Sequence, residues 1–181
     1  MKNTSKSSTR KHLIFLSTAA IIAALYVALT YLSMAFGLDK YAVQIRFSET
    51  LIVLAYLTPA AIPGLSLGCL IANLLTGCHP LDIALGPVAT LIGALGAYMI
   101  GKMKNQKVSR FICTVPNILS NTVIVTFICM ICYTAPEARH PSLIPFYAST
   151  VALGEIISSG ILGTLLLLVS GETVKRTINN I

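Results

Sequence analysis

The chain has 181 residues, 55% hydrophobic and only 10% charged, with a formal net charge of +7 and a mean hydropathy of +0.82. Ordinary soluble domains carry roughly 25% charged residues, so this composition cannot cover a water-soluble surface and points to lipid as the solvent. The positive charges lie in short segments flanking apolar runs, which is a membrane-orientation pattern rather than a nucleic-acid footprint, and no nucleic-acid partner is expected.

In chain order, residues 1–11 are polar and basic and read as a flexible cytoplasmic tail. The apolar run that follows is too long for a secretory signal and lacks a clear exit site, so it is read as a retained first helix over 12–36. After a polar break at Gly37–Tyr41, apolar sequence extends from Arg46 to Thr76. That is too long for one straight helix, and Pro59, Pro63 and Gly64 near its middle divide it into helices over 46–57 and 60–76. A turn at 77–80 leads to a fourth helix over 81–101. A basic loop at 102–107, a fifth helix over 108–133, a proline-rich loop at 135–145 and a sixth helix over 146–170 complete the pattern. The membrane domain is thus expected over 12–171, with a second cytoplasmic tail over 172–181. No internal repeat is evident.

The charges support an even number of crossings. With six, Lys2, Lys6, Arg10, Lys11, Lys102, Lys104, Lys107, Arg110, Lys175 and Arg176 share one side, and only Lys40, Arg46 and Arg139 lie on the other. This bias puts both termini in the cytoplasm, making the expected fold an all-α, six-helix integral membrane bundle.

Small residues recur at helical spacing. The first helix carries two such rows, Ala19/Ala23 and Ala20/Ala24/Ala28, the third offers Gly64 and Gly68, and the fourth offers Ala89, Gly93, Ala97 and Gly101. Such rows let helix backbones approach closely in lipid, either within one bundle or against a partner's helices, and spacing alone does not choose.

Polar residues inside apolar helices are costly and are therefore the functional candidates. Glu155 lies about nine residues into the sixth helix, on the order of 14 Å from its end. Asn117 and Asn121 are four apart on the fifth helix and share a face, and Pro116 beside them should kink it. Asn73 ends the third helix, Asp82 opens the fourth, and Arg46 and Glu49 open the second. In a six-helix arrangement all seven fall in one half of the bilayer, which suggests an outward-facing polar pocket. Bland alternatives exist: Asp82 as a helix-dipole partner, Arg46 and Glu49 as an ion pair, Asn117 and Asn121 as interhelical glue. His79 and His140 read as loop residues, and the five cysteines as small packing residues. There is no HExxH, GxSxG or phosphate-binding GxxxxGK[ST] sequence, so neither catalysis nor ATP use by this chain is expected, and no metal or cofactor is implied.

The stretches Val43–Leu51 (VQIRFSETL), Thr58–Gly64 (TPAAIPG), Gly68–Leu75 (GCLIANLL) and Leu81–Gly86 (LDIALG), in that order, resemble the QueT family of queuosine-precursor transporters. The similarity extends from the alanine-rich first helix to Gly154–Glu155, with Phe47 standing where an aliphatic residue is expected. The resemblance implies an S component of an energy-coupling factor (ECF) importer in a bacterial plasma membrane. The first helix, through Ala20, Ala24 and Ala28, would dock on a transmembrane T component, and two cytosolic ATPases would drive transport. The cargo would be a 7-deazaguanine precursor or queuine, bound by Glu155, Glu49, Asn73, Asn121, Asp82, Arg46 and Asn117. The competing expectations are an S component for another vitamin-like heterocycle and a self-sufficient facilitator.

Overall fold

A computed structural model describes residues 2–38, 44–132 and 134–180, and each of its regular elements is helical. Helix α1 spans Lys2–Ala35. A 3-10 segment, Phe47–Ile52, runs into the short α2, Val53–Leu57, and α3 spans Ala61–Leu75. Helix α4 covers Pro80–Gly101, α5 covers Gln106–Ile112 and α6 covers Val115–Cys132. Helix α7, Leu143–Glu155, passes through a π-helical segment, Ile156–Gly163, into α8, Thr164–Asn180.

Four helical stretches are long and apolar enough to cross a membrane: Ser8–Ala35, Pro80–Gly101, Gln106–Cys132 and Leu143–Thr173. The two halves of the expected proline-split run are shorter, Phe47–Leu57 and Ala61–Leu75. Their separation falls at Pro59, where Thr58 is extended as the residue before a proline prefers. The fifth stretch breaks at Cys113–Thr114, immediately before Val115–Pro116, since the proline has no N–H to continue the ladder from below.

Three expectations shift. The helix reaches back to Lys2 through the segment expected to be a flexible tail, and α8 likewise carries helical backbone across 172–180. The last helix begins three residues early, at Leu143, and its middle is π rather than α. Lys40 and residues 39–43 of the outer loop lie outside the described residues.

The helices form a closed ring. Helix α1 packs on α3, α3 on α4, α4 on α6 and α6 on α7, while the 3-10 segment bridges the π segment back to α1. The core inside it is small and apolar: Ala55, Ala61, Leu65, Ala72, Ala94 and Ala97 are all fully buried. Large side chains such as Leu16, Ile21, Leu119 and Val123 face outward, the inverse of a soluble protein and suited to lipid.

The small-residue rows divide between these environments. Ala19 and Ala23 are buried against α3, where Gly64 and Gly68 meet them, whereas Ala20, Ala24 and Ala28 stay on the outer surface. A Cβ at Gly68 would lie 2.7 Å from Tyr26 Cβ and 3.0 Å from the Ala23 carbonyl oxygen, so only glycine permits this approach. The row Ala89, Gly93 and Ala97 is also internal. Gly68→Leu should therefore force α1 and α3 apart at a cost of about 1–3 kcal/mol, the range for overpacking. A lowered unfolding midpoint in detergent, compared with an outward-facing substitution such as Ile21→Leu, measures it.

Candidate functional site

At the end of the ring where α1, α3 and α6 finish and α4 and α7 begin, the helices part around a cavity of about 280 Å³. Its charged walls are Arg46, Glu49, Asp82 and Glu155. Asn121, Thr76 and Cys78 add polar surface, and Val125, Ile128 and Val151 supply apolar wall. Five of the seven candidate residues therefore border one space. The other two, Asn73 and Asn117, stand directly behind it, 1% and 0% exposed.

The centre of the site is a hydrogen-bond network joining four elements. Asn117 on α6 donates from Nδ2 to Glu49 Oε2 at 3.0 Å and to Glu155 Oε2 at 3.1 Å. Both hydrogens of one amide are thus spent on two carboxylates. The Tyr26 hydroxyl on α1 donates to the other Glu49 oxygen, Oε1. Glu49 therefore takes its hydrogen bonds from Tyr26 and Asn117, which replaces the simple Arg46–Glu49 helix pair weighed above.

Local structure makes these contacts possible. Glu49 sits in the 3-10 segment, whose Phe47 N–H is capped by Ser33 Oγ at 2.7 Å. Glu155 is the last α-helical residue before the π segment, and Thr50 Oγ1 donates to the Ser158 carbonyl at 3.1 Å. The tightly and loosely wound segments that follow and carry the two glutamates are thereby fastened together. Asn117 reaches the pair because α4 offers Gly93 beneath it: a Cβ there would overlap the Asn117 amide.

A second cluster holds the opposite wall. Asn73 Nδ2 donates to the Asp82 carbonyl at 3.1 Å, tying the end of α3 to the first turn of α4. His79 caps α4, its Nδ1 accepting from Leu81 N–H at 3.3 Å, and is more than the loop residue expected. Asp82, 8% exposed, occupies that first turn, where a carboxylate favours the helix dipole as well as lining the cavity. Asn73 thus acts as a brace for this wall and Asn117 as a brace for the glutamates.

The sequence did not single out Tyr26, Gln44, Thr76, Cys78 or Cys129, all of which join or border the site. For Tyr26 a signal was present: a buried tyrosine in an apolar helix needs a partner for its hydroxyl. Cys129, read as a packing residue, contributes to the cavity wall.

A helical bundle that is apolar outside and carries a polar, carboxylate-lined cavity at one end defines a membrane protein with the architecture of a solute-transport subunit. A model of the QueT transporter family matches residues 16–171, and the chain belongs to that family, the S components of queuosine-precursor transporters. No curated protein and no solved structure gives a match.

Removing the shared donor leaves two carboxylates buried without it. Asn117→Leu, close in size, should destabilise the bundle by about 2–4 kcal/mol, as for loss of a buried partner to charged groups. Thermal unfolding in detergent checks this, and an unchanged midpoint would mean that the two glutamates do not depend on this amide.

Proposed function

We propose that this chain is the substrate-capturing S component of an ATP-driven ECF importer, spanning the membrane six times with both termini in the cytoplasm, and that its cargo is a 7-deazaguanine precursor of queuosine or queuine. The observation that carries the substrate reading is the convergence of Glu49, Glu155 and Asn121 on one cavity. A 7-deazaguanine ring presents adjacent N–H donors on its pairing edge, and a carboxylate accepts two such donors together. Glu155 is best placed to do so, because it borders the cavity while Asn117 fixes its orientation. Asn121 offers an amide to the remaining edge, and Arg46 and Asp82 supply charge at the rim.

The six-crossing topology is supported by the ring closure. The Phe47–Leu57 segment packs between α1 and the π segment, and its 3-10 half, rising about 2 Å per residue, makes it longer than its residue count suggests. At the end opposite the cavity, Arg110 pairs with Glu172 at 3.0 Å, and Tyr56 bonds to Gln106 and Ser109. The basic loop and the C-terminal segment therefore share that end, in keeping with a cytoplasmic face.

A chain without a phosphate-binding loop takes its energy from partners. The outward row Ala20, Ala24 and Ala28 on α1 gives a transmembrane T component a surface for close helix approach, with two ATPases bound below it. The test is uptake of labelled 7-deazaguanines in cells that make the chain together with a T component and the ATPases. Uptake is expected. Its absence, alongside robust uptake of an unrelated vitamin through the same partners, would reject this cargo. Transport by the purified chain alone in liposomes would make it a self-sufficient facilitator instead.

Ala24→Leu adds bulk to the outer row without touching the cavity. It should lower co-purification with the T component several-fold and leave substrate affinity of the isolated chain unchanged. A normal yield of complex would remove this row from the docking face.

A further inference from the structure

The outer wall of the ring carries a furrow along its shortest member. The Phe47–Leu57 segment has six residues in 3-10 form and five in α form, a rise of about 20 Å against a hydrocarbon core of about 30 Å. Its neighbours on either side are longer, and between them the segment forms a floor. Beside Phe47 and Leu51 the furrow opens to about 600 Å³, walled by Leu32 of α1 and by Leu165 and Val169 of α8. Leu51 is 7% exposed and Val169 81%, so the floor is recessed and the wall stands out into lipid.

The furrow continues along the seam between α2 and α8. Leu166 and Ser170 line both the wide part and a narrower space beside Val53 and Leu54. Leu57, Leu167 and Gly171 carry that space into a third, which ends at Tyr56, Gln106, Arg110 and Glu172. The three spaces thus follow one another from hydrocarbon walls to a charged end.

That end is basic. Arg110 closes the furrow, and Lys107 lies three residues before it on α5, on the same face and exposed. Lys102 and Lys104 are exposed in the preceding loop. Glu172 is the one acid lining this end among the described residues, and it takes a single bond, from Arg110 Nη2 at 3.0 Å. A guanidinium has five donors in a fixed fork, so the same arginine can serve a second oxygen ligand. Tyr56, its hydroxyl held by Gln106 and Ser109, sits at this level as aromatic residues do at a headgroup boundary. A hydrocarbon alone would match the walls of the furrow and a soluble anion only its end. An anionic phospholipid matches both.

We propose that the seam between the Phe47–Leu57 segment and α8 holds one anionic phospholipid, with an acyl chain along the furrow and its phosphate at Arg110 and Lys107. The lipid fills the space left by a segment too short for the bilayer. The site lies outside the polar cavity and does not depend on which solute the cavity takes.

The test is native mass spectrometry of the full chain released from detergent after addition of phosphatidylglycerol or phosphatidylcholine with identical acyl chains. One phosphatidylglycerol should stay bound, at least about fivefold more often than phosphatidylcholine, the scale set by one basic residue near a headgroup. Arg110→Gln should abolish that preference, and Glu172→Gln, which removes the competing acid, should increase it. Both variants break the same ion pair, so a merely structural effect would move them in the same direction and would overturn the headgroup assignment. Ser170→Phe, which places a ring in the furrow, should reduce retention of both lipids, and unchanged retention would remove the chain from this seam. Equal retention of the two lipids by the wild-type chain, or a ladder of several bound lipids in place of one, would overturn the site. Excess glycerol 3-phosphate should leave the lipid bound, and displacement by it would make the basic end a site for free anions instead.

Discussion

A carboxylate placed inside an apolar bundle persists only where something donates to it, and in this protein one amide serves two. Asn117 spends both hydrogens of Nδ2 on Glu49 and Glu155, and Tyr26 completes Glu49. Because these residues sit on α1, the 3-10 segment, α6 and α7, the same contacts that satisfy the charges also fix four elements relative to one another. A half-satisfied polar network in low dielectric is worse than none, so the helices that deliver the partners are held to close tolerances. The glycines follow from this: α4 has no side chain at Gly93 because the amide occupies that space.

The departures from regular α-helix serve the same end. Glu49 is carried by a 3-10 segment and Glu155 immediately precedes a π segment of eight residues. The first winding is tighter and the second wider than an α-helix, and each changes the direction in which the next side chain points. Ser158 and Ser159 return their hydroxyls to the carbonyls of Gly154 and Glu155 at 2.7 and 3.0 Å, which satisfies acceptors at the junction without exposing them to lipid. The π segment then packs on the 3-10 segment, with Gly163 against Val53 and the Thr50 carbonyl. These two departures from α winding pack against each other and leave the glutamates side by side.

Much of this was legible in the residues. The division of the second apolar run at Pro59, the interruption just before Pro116 and the clustering of polar residues at one end follow from local chemistry and from the cost of polarity in lipid. Depth along each helix could be counted, so Glu155, Asn117 and Asn121 could be placed at one level. What could not be counted was azimuth. Whether Asn117 faces the cavity or stands behind it depends on the helix rotation set where Asn117 and Pro116 meet Gly93 and Gly96 on the facing α4, and no spacing within α6 contains that information. The π segment was equally hidden, because nothing in the mostly apolar composition of Ile156–Gly163 distinguishes π from α winding. Tyr26 is a different case: a hydroxyl in an apolar helix requires a partner, but nothing within α1 says that Glu49, 23 residues on, supplies it.

The two alanine rows of α1 show how one helix can meet two demands. Ala19 and Ala23 lie on the face that closes on Gly64 and Gly68, and that close contact brings Tyr26, three residues beyond Ala23, onto Glu49. Ala20, Ala24 and Ala28 lie outside, offset by one residue and hence about 100° around the helix. A helix whose inner face is locked to the site and whose outer face is free for another backbone moves both as one rigid piece. Tyr26 reaches Glu49 from the same helix that carries the outer alanine row, so the hydrogen-bond network of the cavity and the outer small-residue face are built on one continuous element.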